Sequence, residues 1–168
     1  SGLAPNTPSF CGVGEKDGLT YFVQEYIDGE SLIDLITKDG YLPIGRAISI
    51  LRQMTMASFV ATLIFGENYC HRDIKPENII LRKNGEAVLI DFGLSTAAFK
   101  AEPGTITGTP PYMSPEQIYA QPTNYKSDIY SLGIVLFEML SGRHPFNSEW
   151  GNINEMALEK KGKGLNPL

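Results

Sequence analysis

Short, dense runs of apolar residues open this chain and longer, helix-spaced runs follow. Residues 9–14 and 19–27 (LTYFVQEYI) are rich in aromatic and β-branched side chains. With the turn EKDG between them they predict a β-hairpin. Ser31 stands where it can cap a short helix running to Ile36, and Gly40 ends that region. Pro43 then opens a long helix. Its apolar positions 47, 48, 50, 51, 54, 57, 60, 61 and 64 cover more than one face, which predicts a largely buried element.

Farther along, IILR and AVLI flank KNGE, and Asn-Gly between two apolar runs is the strongest short-range hairpin signal. A polar stretch rich in Ser, Thr and Gly occupies 95–109. Residues 128–141, DIYSLGIVLFEMLS, predict a second buried helix stopped by Gly142. Residues 1–8 read as loop, the pattern weakens from Gly151 onward, and GKGLNPL reads as a frayed end. No internal repeat or low-complexity block is visible.

Composition narrows the class. The 168 residues suggest one domain or a piece of one, and a hydrophobic fraction of 42% fits a soluble globular chain. Fourteen Lys plus Arg against 19 Asp plus Glu leave a net charge of −5, so nucleic acid and anionic membranes are set aside as partners. Cys11 and Cys70 form no C-x-x-C pair and read as reduced thiols in a cytoplasmic protein. ASFVATLIFG at 57–66 is about half the ~20 residues a membrane helix needs, so no membrane segment is expected. The chain begins at Ser1, and a membrane tether outside it stays open.

The candidate chemistry lies in CHRDIKPENIIL, residues 70–81, where His71, Arg72, Asp73, Lys75, Glu77 and Asn78 crowd between apolar runs. A two-residue turn at Asn84-Gly85 would pair Lys83 with Glu86 and, carried down the ladder, Asn78 with Asp91. Directly opposed side chains have Cβ atoms roughly 5 Å apart. An amide oxygen and a carboxylate converging there suit Mg²⁺, which completes its shell with water and phosphate oxygens. Asp73 and Lys75, two apart in an extended segment, would reach one small site. The carboxylate there would orient a hydroxyl and accept its proton, and the lysine would balance charge on a transferred phosphoryl group. Pro76 stiffens the loop.

H71-R-D-I-K-P-E-N78 resembles the catalytic loop of eukaryotic-type (Hanks-type) serine/threonine protein kinases, and D91-F-G93 resembles their magnesium-binding motif. YFVQEYI at 21–27 looks like the last strand of the small lobe and the hinge. GTPPYMSPE at 108–116 looks like the peptide-positioning loop, and D128-I-Y-S-L-G133 like the start of the central helix. The resemblance runs from about residue 4 to about residue 147, in family order, and its style is that of bacterial members. It implies an α+β, protein-kinase-like fold that is incomplete. Residues 1–27 would be a remnant of the small lobe with the hinge, 28–150 most of the helical lobe, and 151–168 a poorly defined tail.

By that resemblance Asp73 is the catalytic base, Lys75 contacts the γ-phosphate and substrate, and Asn78 and Asp91 hold Mg²⁺ for ATP. The hinge backbone at Glu25 and Ile27 would bind adenine, with Gln24 as gatekeeper and Ile80 on the pocket floor. Lys75 and Thr109 imply Ser/Thr specificity toward protein substrates. Arg72 implies control by a phosphate on the activation segment, with Thr105 the first candidate acceptor and Thr107 the second. His71 reads as a structural hydrogen-bonder, and Asp128 as a helix N-cap that also holds the catalytic loop's backbone.

Some parts of the pattern depart from the family. G12-V-G14-E-K-D-G18 has the spacing of a hairpin turn, not of the glycine-rich phosphate loop. Neither Lys16 nor Lys38 stands in the setting of the lysine that binds the α and β phosphates. The 168-residue chain alone is therefore expected to have little activity, with Phe10 and Phe22 exposed on an unpartnered hairpin. Glu116 should pair with an arginine, and only Arg143 follows it. Two other classes compete. A pseudokinase or scaffold would have lost Asp73, Asn78 or Asp91, and a small-molecule phosphotransferase would lack the G-T-x-x-Y-x-x-P-E platform. No G-x-x-x-x-G-K-[ST] occurs, which excludes a P-loop NTPase.

Overall fold

A computed structural model of the chain describes residues 5–92, 106–146 and 160. Gly93, Thr105 and all but Lys160 of residues 151–168 lie outside the described residues.

The first hairpin is tighter than EKDG suggests. Strand β1 (Phe10–Lys16) and strand β2 (Leu19–Gln24) pair antiparallel up to Lys16 and Leu19, leaving a two-residue turn at Asp17-Gly18. The register breaks between Phe10 and Gly12, which leaves Cys11 as a bulge. Phe10 and Phe22 are exposed, as expected, and so are Val13 and Leu19. A separate antiparallel sheet has the order β3 (Gly29–Ser31), β4 (Ile79–Arg82), β5 (Ala87–Leu89). Strand β3 has no alternating apolar signature and was not expected from the sequence. Asn6 laces the N-terminal segment onto this sheet. Its carbonyl accepts from Leu89 N at 2.8 Å, and its amide donates to Ala87 O and to Gln53 Oε1.

Helix α1 (Leu32–Asp39) is capped as its sequence predicts, with Ser31 Oγ accepting from Asp34 N. Helix α2 (Ile44–Phe65) follows Pro43. A four-residue helix α3 (Pro115–Ile118) falls where the sequence suggested only loop, and α4 (Tyr125–Ser141) ends on left-handed Gly142. Its true N-cap is Asn124, whose side chain accepts from Lys126 N, so α4 starts a turn earlier than Asp128.

One core joins α1, α2, α4 and the β4–β5 ladder, while Ile118 of α3 packs with Met113 in a separate small cluster. Leu32, Leu35 and Ile36 of α1 meet Ala47, Ile50 and Met54 of α2 and Leu132, Val135 and Met139 of α4. Ile79, Leu81, Ala87 and Leu89 close it from the sheet. The expectation that α2 is largely buried needs correction: Met54 is fully buried, but Ile48, Met56, Phe59 and Leu63 are exposed. Only the face packed on α4 and β5 is covered. The helix is long and apolar enough to cross a membrane by length and composition alone, yet this face belongs to the core shared with α1, α4 and the sheet.

Candidate active site

Ile74 has no exposed surface and belongs to the core, which plugs the middle of the 70–78 loop into the fold. Lys75 is extended (φ −157°, ψ 162°), so Asp73 and Lys75 project together, away from Ile74. Their charged ends meet at 3.0 Å. Thr109 closes the set: its hydroxyl donates to Asp73 Oδ1 at 2.6 Å and accepts from Lys75 Nζ at 2.7 Å. The other Asp73 oxygen accepts from Asn78 Nδ2 at 3.1 Å, and the same amide donates to Asp73 O at 2.9 Å. A buried carboxylate is thus held by a hydroxyl, an ammonium and an amide.

The backbone beneath is fixed from α4. Asp128 Oδ2 accepts from His71 N at 2.9 Å, and Oδ1 accepts from Arg72 N at 3.1 Å and from Cys70 Sγ at 3.2 Å. Burial, with the Asp128 carboxylate beside it, pushes the Cys70 thiol up, so it stays a protonated donor. Burial lowers the pKa of His71 and favours the neutral ring. Its Nδ1 accepts from Asp73 N at 3.3 Å, and the ring stands edge-on to Phe92 at 4.8 Å, consistent with a structural role.

Arg72 has φ +72°, a left-handed conformation costly for a side chain of this size. Its two peptide groups are pinned: Asp128 takes the N–H, and Gln117 Nε2 donates to the carbonyl at 2.8 Å. The guanidinium donates through Nε to Thr123 at 3.3 Å, while buried Nη1 has no hydrogen-bond partner among the described residues. Gly108 approaches the same peptide so closely that a Cβ would lie 2.6 Å from Arg72 O, and its φ is +120°. Thr107 is half-buried next to it, with its carbonyl at 3.5 Å from Gln117 Nε2.

The hairpin register differs from the two-residue count. Strand pairing sets Ile79 opposite Leu89 and Leu81 opposite Ala87, and Gly85 N donates to Arg82 O at 2.9 Å. Gly85 has φ +86°, so the loop is a three-residue turn ending on a left-handed glycine, not a two-residue Asn-Gly turn. Ile90 therefore takes the place opposite Asn78, donating to Asn78 O at 2.9 Å. Asp91 lies one residue beyond the ladder with φ +63°.

Among the described residues no cluster of three or more His, Cys, Asp and Glu forms. The donor set still fits Mg²⁺. Both hydrogen bonds of the Asn78 side chain use Nδ2, which leaves its hard amide oxygen for a cation, and Asp91 adds a carboxylate at the same end of β4–β5.

Strand β2 ends at Gln24 and gives way to the segment of Glu25 and Ile27. Glu25 N donates to Ser9 O at 2.8 Å. The Glu25 side chain pairs with Arg82 on β4, and this guanidinium, together with Ser9, holds its carboxyl below the usual range. Ile27 is buried, and Ile80, on the middle strand of its sheet, is half-buried. Glu116 takes Ser127 Oγ as its partner at 2.5 Å among the described residues, where the family pattern suggested arginine.

Sequence reasoning passed over Gln117, although S114-P-E-Q117 carries the S-x-x-Q spacing of a capping box, which is present. It also passed over Ser131 and Lys160, which no local pattern marks.

Residues 4–164 match the family described as Protein kinase domain. The chain belongs to this family. Among relatives of this protein kinase chain, serine/threonine-protein kinase PrkC of Bacillus subtilis is 40% identical over 148 residues, covering 86% of this chain and 22% of PrkC. A probable serine/threonine-protein kinase of Clostridium perfringens is 38% identical over 148 residues, 86% of this chain and 21% of that protein. Serine/threonine-protein kinase PknB of Mycolicibacterium smegmatis is 38% identical over 135 residues, 76% of this chain and 21% of that protein. The chain thus spans about a fifth of the length of these relatives.

Proposed function

We propose that the protein containing this chain transfers the γ-phosphoryl group of ATP to serine and threonine hydroxyls of protein substrates. The observation that carries the reading is the closed arrangement of Asp73, Thr109 and Lys75, with Asn78 gripping the same carboxylate. In this reading the acceptor hydroxyl displaces Thr109 from Asp73 Oδ1 or binds beside it. Asp73 orients that hydroxyl and takes its proton as the new P–O bond forms and the bond from the γ-phosphorus to the bridging oxygen breaks, releasing ADP. Lys75 offsets charge on the transferred group. Asn78 and Asp91 would hold Mg²⁺, which would supply positive charge to offset that of the phosphates. The Glu25 carbonyl and Ile27 amide receive the adenine edge behind Gln24, over Ile80.

Arg72 has a regulatory part here. Its Nη1, which has no hydrogen-bond partner among the described residues, suits a phosphate on the activation segment, on Thr107 or on Thr105 outside the described residues. A reaction that consumes ATP implies a cytoplasmic setting.

The test is Asp73→Asn in the full-length protein, read as transfer of label from γ-labelled ATP to dephosphorylated casein. Loss of the base is expected to lower kcat by roughly 10²–10⁴-fold with ATP binding retained. Transfer by the variant at the wild-type rate would overturn Asp73 as the base, and no transfer by the wild-type protein would overturn the reading and favour a non-catalytic scaffold.

A further inference from the structure

One ammonium outside this constellation touches the loop that completes it. Lys160 Nζ lies 2.5 Å from Met113 O, 2.8 Å from Pro111 O and 3.2 Å from Pro110 O. An ammonium has three N–H donors, so three carbonyls of one short loop use them all. The rings of Tyr130 and Phe146 each lie 5.4 Å from Nζ, within cation–π range. Burial lowers the lysine's pKa to about 7.

The loop depends on such contacts. Pro110 and Pro111 carry no N–H, so they cannot be tied down as donors. The remaining carbonyl, Tyr112 O, accepts from Ser131 Oγ at 2.8 Å. Two side chains therefore hold all four carbonyls from 110 to 113. The loop's first residue is Thr109, whose carbonyl accepts from Tyr112 N at 3.0 Å and Met113 N at 3.2 Å. Its hydroxyl is the one that bridges Asp73 and Lys75.

We propose that Lys160 is a positioning residue: it clamps Pro110, Pro111 and Met113 by their carbonyls, sets Thr109 against Asp73 and Lys75, and shapes the surface that receives a protein substrate. The inference rests on the phosphoryl-transfer reading above for its kinetic consequence, but the clamp itself is a matter of loop order.

The experiment is Lys160→Met in the full-length protein, which keeps an apolar stem and removes all three donors. Steady-state kinetics with casein and ATP are measured beside amide hydrogen exchange at Thr109, Tyr112 and Met113. The kcat/KM for casein should fall roughly 10- to 100-fold, the scale expected when a positioned group shifts by about 1 Å. The KM for casein should rise while that for ATP holds, and the three loop amides should exchange faster with α2 and α4 unchanged. A brace of the whole fold would instead lower kcat at constant KM and speed exchange in α4 as well. That outcome, or wild-type kinetics with wild-type loop exchange, overturns the proposal. If Lys160→Met does not fold, Lys160→Gln, whose shorter stem withdraws its amide from the carbonyls, is read by the same exchange criterion. If the wild-type protein transfers no phosphate, the phosphoryl-transfer reading fails, and loop exchange alone decides the clamp.

Discussion

Asp128 Oδ1 accepts the backbone N–H of Arg72, 56 positions earlier in the chain, and so fixes from a core helix a peptide that would not hold its shape alone. Left-handed backbone at such a residue costs on the order of 1–3 kcal/mol and persists only where its surroundings overdetermine it. Here Asp128 and Gln117 do so from two different helices. Asp128→Asn should destabilise the protein by about 1–3 kcal/mol, because an amide has one acceptor oxygen for donors that now share two. Urea unfolding reads the loss, and a midpoint equal to wild type would contradict this account.

Thr109 touches both charged groups of the candidate site through one oxygen. Thr109→Val removes that oxygen at similar volume and should lower kcat roughly tenfold or more, as for other charge-assisted contacts at reacting groups. Thr109→Ser keeps the hydroxyl and should stay within a few-fold of wild type. Equal losses in both variants would mean that the methyl group matters and the hydroxyl does not.

Gly108 faces two obstacles at once, a positive φ and the Arg72 carbonyl. Gly108→Ala is expected to cost about 1–3 kcal/mol or to displace the loop. A crystal structure of the variant should show the 106–109 segment moved away from Arg72. A wild-type path with unchanged stability would refute the close approach.

Glu138 is buried on α4 and accepts from Tyr112 Oη at 2.8 Å. Burial raises its pKa, the tyrosine hydroxyl works the other way, and the Glu77 carboxylate adds to the rise. The folded state therefore binds this proton more tightly than the unfolded state. Its contribution to stability is full below the ordinary value of 4.5 and is lost as pH rises through the folded value. Glu138→Gln keeps an acceptor for Tyr112 and removes the titration, so the fall in stability above pH 4.5 should be shallower. Urea midpoints measured across that range decide it, and parallel curves would sink the idea.

The two faces of α2 make a paired test. Met54 is fully buried against the core, so Met54→Ala should cost about 2–5 kcal/mol. Met56, on the uncovered face, should change by no more than about 0.5 kcal/mol on the same substitution. Similar costs at both positions would show that the outer face is covered too.

The sequence by itself determined whatever depends on near neighbours. Ser31 caps α1 because its oxygen reaches an amide three residues on, and Gly142 stops α4 because left-handed backbone suits glycine. Asp73 and Lys75 share a site because they stand two apart on an extended strand of chain anchored by Ile74 between them. Even the resemblance of H71-R-D-I-K-P-E-N78 to a catalytic loop is local. Register and covering were not legible in this way. Asn84-Gly85 signals a two-residue turn, yet left-handed Gly85 closes a three-residue one and shifts every pair by a residue. The apolar pattern of α2 names residues able to be buried, but only the position of α4 and β5 decides which of them are. Gln117 on the Arg72 carbonyl and Lys160 beneath the prolines are contacts across 45 and 47–50 positions. No spacing along the chain announces such pairs, because they form only when separate elements share one core.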